Sequence, residues 1–473
     1  MTVPIWLFVV LVMLAAYAVA RLLVMPAGRW YLRRRMNRVI DDVNARLQLQ
    51  LPTFQLTRRD VLVDRLTYDA EVMVAVQAAA AERGVTREEI SAEVQLYARE
   101  MVPAFNAIIY FRIGYTLARR FLRALYHVRL GWAHEEALAT FPPDTSIVFF
   151  INHRSNMDHL LVTYLASRGA ALSYGAGEWA RVWPFRSALR LSGAYILRRD
   201  TSDPVYRAVL RRYVQMATAA GVPHAIFGEG QLSRNGKVNP PKLGLLSYIC
   251  GGLDAQDGSD LLFIPVGTNF DAVIEERVLV EDADKDFRGS SAFFVLSSAG
   301  LFVIQQIWRK LTGRYRGFGV ACASFGQPLS LRAWSVEHGI NLQHCEKADF
   351  FRAVEALGKE LMERTVEVIP VLAVPLIAMV LLEAGEPLPE AELIRRIHEE
   401  LEALRRLGAH IGFEEGHDDA ALDAGMTMLT GRRLVVVDAQ GLVAPRDEER
   451  ALLQYHANSM IQLRAALTEA STQ

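Results

Sequence analysis

Cysteine is scarce: Cys250, Cys322 and Cys345 are three in 473 residues, odd in number and widely spaced. That excludes a disulfide framework and a zinc knuckle and fits a reducing compartment. Net charge is also nearly absent, at -1, so no global field draws the chain to nucleic acid, although a cluster such as "RWYLRRRMNR" (29–38) can act locally on a phosphate-rich surface. Neither a histidine-rich triad nor a carboxylate cluster with ligand spacing appears, and no metal is expected. Internal repeats and low-complexity tracts are missing too. What is abundant is apolar side chain, 51% of residues, enough for one large core with appended helical parts.

The longest uncharged run is at the start. Val3 to Ala20 carries no charge, and Leu22 to Met25 extend it past Arg21, giving the roughly 20 residues a bilayer core requires. Arg21, Arg29, Arg33, Arg34, Arg35 and Arg38 follow, which predicts an uncleaved anchor over 1–25 with the remainder in the cytoplasm. Ala18-Val19-Ala20 resembles a signal-peptide cleavage site, but the basic segment that should precede the apolar run is missing. Two later stretches, "FFVLSSAGLFVI" (293–304) and "VIPVLAVPLIAMVLL" (368–382), are too short to span and read as buried core helices. The alternative for the first is an interfacial surface where a lipid lies.

Residues 26–125 have helical periodicity and many charges. From about 145 the pattern becomes short β-rich runs, "SIVFFIN", "ALSYGA", "GAYILR", "HAIFGEG" and "LLFIPVGTNF", each followed by polar or glycine-bearing turns. Alternation of this kind predicts an α/β domain, set at 126–345. "FPPDT" (141–145) and "GGLDAQDGSD" (251–260) read as loops within it. A mainly helical region over 346–473 follows, with "EAGEPLPEAEL" (383–393) as a hinge, then two strands around a turn in "RRLVVVDAQGLVAP" and a helix from Glu448.

His153 and Asp158 lie five residues apart where the apolar run "SIVFFIN" gives way to the helix-like "HLLVTYLA". On one regular helix that spacing rotates side chains by about 500°, off a common face. A strand-to-helix turn removes the restriction. There Asp158 can accept from one imidazole nitrogen, fix the tautomer and stabilise the imidazolium, while the other nitrogen takes a proton from a substrate hydroxyl. The plainer reading is a helix cap, because Ser155 followed three residues later by Asp158 resembles a capping box.

Downstream residues favour the chemical reading. "GAYILRRD" ends in Arg198 and Arg199, and "IFGEGQLSRNGK" ends in a glycine-flanked Glu229 followed by Ser233, Arg234 and Lys237. Strand ends of a parallel sheet share one edge. Arginine grips phosphate with its planar fork, and glycine lets backbone amides approach. Together these groups suggest an alcohol that carries a phosphate.

At this point the sequence resembles a known family. "INHRSNMD", "GAYILRRD", "FGEGQLSRNGK" with "PPKLGLL", and "FIPVGTNFD" are similar to the four ordered blocks of the glycerolipid acyltransferases, in particular the membrane-bound glycerol-3-phosphate acyltransferases of the PlsB type. The similarity runs over roughly residues 95–465, where "LLQYHANSMIQL" resembles the subgroup's closing helix. The resemblance implies a glycerol-3-phosphate acyltransferase-like α/β domain with a mixed, largely parallel sheet. It implies His153 as general base and Asp158 as its orienting partner. Arg198, Glu229, Gly230, Ser233 and Arg234 are implied in binding glycerol phosphate, and Pro265 as a donor-side or shaping residue. One departure stands out: Gln231 and Leu232 occupy positions where the family's third block reads G or T and then R, so an expected arginine is absent.

The implied reaction moves an acyl group from acyl-CoA or acyl carrier protein to the sn-1 hydroxyl of glycerol 3-phosphate. It needs no cofactor besides that co-substrate and gives lysophosphatidic acid at a membrane surface. Dihydroxyacetone phosphate and lysophosphatidic acid stay open as acceptors, since all three share the phosphate. A membrane-anchored lipid-binding protein without catalysis is the alternative from another class, against which the intact His153 and Asp158 argue. A nucleic-acid-reading wing at the C-terminus is disfavoured by the acidic stretch before it.

Overall fold

The computed structural model of the chain describes Met13 and residues 51–107, 109–133, 145–166, 171–177, 185–198, 202–252, 260–281, 317–342 and 344–472. Apart from Met13, the Val3–Met25 run lies outside the described residues, as do the 293–304 stretch and Arg199. Among those described, no helix is long and apolar enough to cross a membrane.

The β-rich runs assemble into one sheet. Its strands are β1 (His127–Ala133), β2 (Thr145–Ile151), β3 (Ser173–Ala176), β4 (Tyr195–Ile196), β5 (His224–Phe227), β6 (Asp260–Phe270), β7 (Val320–Phe325) and β8 (Leu329–Ser330), in the order β1-β7-β6-β2-β5-β3-β4 with β8 on β6. The pairs β1/β7, β6/β2, β2/β5, β5/β3 and β3/β4 are parallel, and β6 runs antiparallel to β7 and β8. The sheet is therefore mixed and largely parallel. Central β2 is buried at every position, as a strand covered on both faces must be.

Alternate residues of β2 serve opposite cores. Val148 and Phe150 pack with Ile226, Phe263 and the helices Pro204–Ala219, Leu243–Cys250 and Lys347–Glu367. Ile147, Phe149 and Ile151 face Ile264, Val266 and the helices Tyr115–Leu125 and Asp158–Ala166. The helices Arg59–Thr67, Ala70–Arg83 and Arg87–Met101 share the first of these cores: Leu62, Leu66, Val72, Val76, Ile90 and Val94 belong to the cluster that holds Val209 and Tyr213. Asp69 and Thr86 cap two of these helices through the Glu71 and Glu89 amides.

A separate apolar cluster surrounds the helix Ala373–Ala384, which is buried from Ala373 to Leu381. The 368–382 stretch is thus a core helix, and Pro375 is accommodated in its first turn. Helices Glu390–Arg406, Asp418–Gly431 and Arg450–Thr472 pack around it. The expected strand pair is present as β10 (Val435–Val437) and β11 (Leu442–Pro445). The stretch read as a hinge is not a free linker: within it β9 (Leu388–Pro389) hydrogen-bonds to β11, and Leu388 is buried.

Candidate active site

β2 delivers the chain to the parallel sheet's C-terminal edge, where Asn152–Met157 turn into the helix that starts at Asp158. His153 Nδ1 lies 3.0 Å from Asp158 Oδ2, and the ring stacks on Phe227 with centroids 4.1 Å apart. The same Oδ2 accepts the backbone amides of Arg154 at 2.7 Å and Ser155 at 2.8 Å, and Oδ1 accepts the Thr268 hydroxyl at 2.9 Å. Asp158 is wholly buried. Four donors compensate its charge, which an unpaired carboxylate at this depth would not tolerate.

The bond from the Ser155 amide has the three-residue spacing of the back-reaching half of a capping box, in the turn just ahead of the helix. One carboxylate thus bonds the turn ahead of the helix and the imidazole together. Nε2 of His153 makes no hydrogen bond among the described residues, and the side chain is 16% exposed.

Glu229, beyond β5, is buried, and its Oε1 accepts the His153 amide at 2.8 Å. Its Oε2 accepts the Asn239 backbone and side-chain N–H groups at 3.0 and 2.7 Å. Burial raises the carboxyl above its ordinary range, against the pull of these donors. The Ser233 amide donates to His153 O at 2.8 Å, and the Ser233 hydroxyl donates to Lys237 O at 2.6 Å. Gly230, at φ 68°, takes the left-handed backbone that lets this loop leave Glu229. Leu232 and Arg234 are half-buried, and Gln231 is exposed.

Pro265 is buried in β6 opposite Phe150 of β2, between the stretches that pair with β8 and β7. A residue without N–H fits that gap in the antiparallel ladder. Arg198 lies at the end of β4, three strand spacings from β2, roughly 14 Å. Its guanidinium holds Glu100 Oε2 at 2.7 and 3.1 Å and stacks over Tyr97 at 4.5 Å. The structure thus brings His153, Asp158, Glu229 and Ser233 into one bonded cluster and places Arg198 further along the same edge.

Two independent matches bear on identity. Residues 134–267 match the family described as acyltransferase, and residues 304–470 match the glycerol-3-phosphate acyltransferase C-terminal region. Together they span more than half of the chain. The chain carries an acyltransferase domain and a glycerol-3-phosphate acyltransferase C-terminal region. A glycerol-3-phosphate acyltransferase from Aeromonas hydrophila is 25% identical over 441 residues, which are 91% of this chain and 53% of that protein. The one from Pseudomonas entomophila is 25% identical over 86% of this chain and 49% of its own. A Mycobacterium tuberculosis protein named as acyltransferase plsB1 is 27% identical over 78% and 56%. The chain spans about half the length of these relatives. A solved lysophosphatidic acid acyltransferase, PlsC from Thermotoga maritima, aligns over 64% of this chain and 96% of its own at 15% identity and a TM-score of 0.30, too loosely to carry an argument.

Several supporting residues escape a reading of the family blocks. Asn152 closes the turn onto β6, its Oδ1 accepting Thr268 N at 2.7 Å and its Nδ2 donating to Thr268 O at 3.0 Å. Glu275 accepts Ser155 Oγ at 2.9 Å and Asn156 Nδ2 at 3.1 Å, and burial raises its carboxyl too. Asn152 and Thr268 stand inside quoted blocks; nothing in the pattern marks Glu275.

Proposed function

We propose that this chain transfers a fatty acyl group from acyl-CoA or acyl carrier protein to the sn-1 hydroxyl of glycerol 3-phosphate, giving lysophosphatidic acid. The observation that carries the reading is the 3.0 Å contact between His153 Nδ1 and buried Asp158, in a turn bonded to the Glu229–Asn239 loop. Asp158 holds the proton on Nδ1, so Nε2 is the basic nitrogen. Nε2 takes the acceptor hydroxyl's proton as that oxygen attacks the thioester carbonyl. The tetrahedral intermediate then expels the thiolate, which recovers the proton from the imidazolium. General-base catalysis of this kind contributes roughly 10²- to 10⁴-fold.

The acceptor phosphate is gripped by arginine, Arg234 on the loop and Arg198 after it exchanges Glu100 for the ligand, with Ser233, Gly230 and Glu229 shaping the loop. Pro265 shapes the donor side. The Val3–Ala20 run anchors the enzyme in the cell membrane with its catalytic part on the cytoplasmic side, where an amphiphilic donor and product have a short path. Similarity to proteins named glycerol-3-phosphate acyltransferase supports this acceptor.

The test is a membrane assay that offers labelled glycerol 3-phosphate, dihydroxyacetone phosphate or lysophosphatidic acid with each donor. Acylated glycerol phosphate is the expected product, and His153→Ala should lower its formation by at least 10²-fold. Equal turnover by that variant removes the base, and turnover of lysophosphatidic acid alone reassigns the acceptor.

A further inference from the structure

The loop proposed to hold the phosphate is fastened to the far end of the chain. Its neck closes where Glu229 meets Asn239, but its 235–238 side lies on the last helix, Arg450–Thr472. Asn458 Nδ2 donates to Asn235 O at 2.7 Å. Gln462 makes a two-way bond with one residue of the loop: Val238 N donates to its Oε1 at 2.8 Å, and its Nε2 donates to Val238 O at 3.1 Å. A carboxamide that pairs with both the N–H and the C=O of one residue acts as a neighbouring strand would. Tyr455, Asn458 and Gln462 follow at spacings of three and four, so they occupy one face of the helix.

At Tyr455 the two segments touch with no room for a side chain. Gly236 adopts φ 79°, and a Cβ there would stand 1.8 Å from the Tyr455 carbonyl oxygen. Arg154, beside His153 in sequence and 1% exposed, lies between them: Nη1 donates to Gly236 O at 3.5 Å and Nη2 to Tyr455 O at 3.4 Å, and the guanidinium sits 5.1 Å from the Tyr455 ring centre. The Tyr455 hydroxyl returns a bond to Arg154 O at 3.2 Å. The catalytic turn, the loop and the last helix thus meet at one buried point.

We infer that Asn458 and Gln462 are positioning residues: the C-terminal helix sets the conformation of the 231–238 loop and so tunes its grip on the acceptor's phosphate. This rests on the proposed acceptor. Neither side chain touches the reacting atoms. Without them the loop keeps its neck but loses three bonds to a rigid support, and each acceptor molecule then has to order the loop as it binds.

The experiment uses the full-length protein with two variants, Gln462→Met and Asn458→Ala, in two measurements. In kinetics the KM for glycerol 3-phosphate should rise about tenfold in Gln462→Met, while kcat and the KM for the acyl donor change less than about twofold. In hydrogen exchange, amides of residues 231–239 should exchange faster in both variants, with the melting temperature and the exchange of β2 and β5 kept. Unchanged loop exchange in both variants overturns the inference whatever the acceptor is, so this arm stands apart from the proposed activity. A matched loss in kcat and both KM values with a lowered melting temperature also overturns it, because that is what a merely structural helix gives.

Discussion

The turn after β2 and the end of β4 open on the same edge of the sheet but hold their functional groups in opposite ways. At the first, His153 is fixed by Asp158, Asp158 by three further donors, and the His153 amide by Glu229. At the second, Arg198 is bound to a carboxylate, Glu100, that an incoming phosphate would replace. The first corner has no reorganisation left to do, which suits groups that act on developing charge. Under the proposed function the second trades one anion for another. Both partners there are about a quarter exposed, 26% and 22%, so their attachment is worth at most about 1 kcal/mol, and a bidentate phosphate contact outweighs it.

Substitutions break or sharpen this contrast, and the largest effect is expected at the fixed corner. His153→Ala should lower the initial rate by roughly 10²- to 10⁴-fold with the melting temperature held. Glu229→Gln comes next, since its Nε2 would face the donors of Asn239. A cost of roughly 1–3 kcal/mol in chemical denaturation is expected. Because burial raises the Glu229 carboxyl, the folded chain keeps a proton there at pH values where the unfolded chain has released it. Its contribution to stability is then greatest in acid and declines as pH rises through the carboxylate range. The glutamine variant should flatten that limb in melting temperature against pH.

Thr268→Val removes a single donor from Asp158 Oδ1 and should reduce kcat about tenfold, with less effect on KM. The smallest effect is expected at the exchanging corner. Glu100→Gln weakens the hold on Arg198 and should lower the KM for glycerol 3-phosphate two- to threefold, within the range of an exposed ion pair. A raised KM would mean instead that Glu100 orients the arginine for its ligand.

The same contrast divides what was legible in the sequence. The His153–Asp158 turn could be read because a strand, a polar break and a helix follow one another within twenty residues, and local pattern carries that much. The core helix at 373–384 was legible because fifteen apolar residues with two prolines fit no bilayer. Partners distant along the chain were not. Glu100 stands 98 residues from Arg198, and Gln462 stands 224 from Val238. Periodicity shows that Leu62, Val72 and Ile90 form apolar faces but not that those faces share a core with β2. At 383–393 glycine and proline suggested a hinge, yet the strand that pairs with Leu388 comes some fifty residues later.

Asp158 orders the turn at a helix start and steadies an imidazole with the same oxygen atom, Oδ2. Natural selection for a foldable chain would therefore retain this acid even in a lineage that had abandoned turnover, whereas the ring beside it would be free to drift. Among distant cousins, survival of the aspartate testifies to architecture, and only survival of the histidine speaks for chemistry.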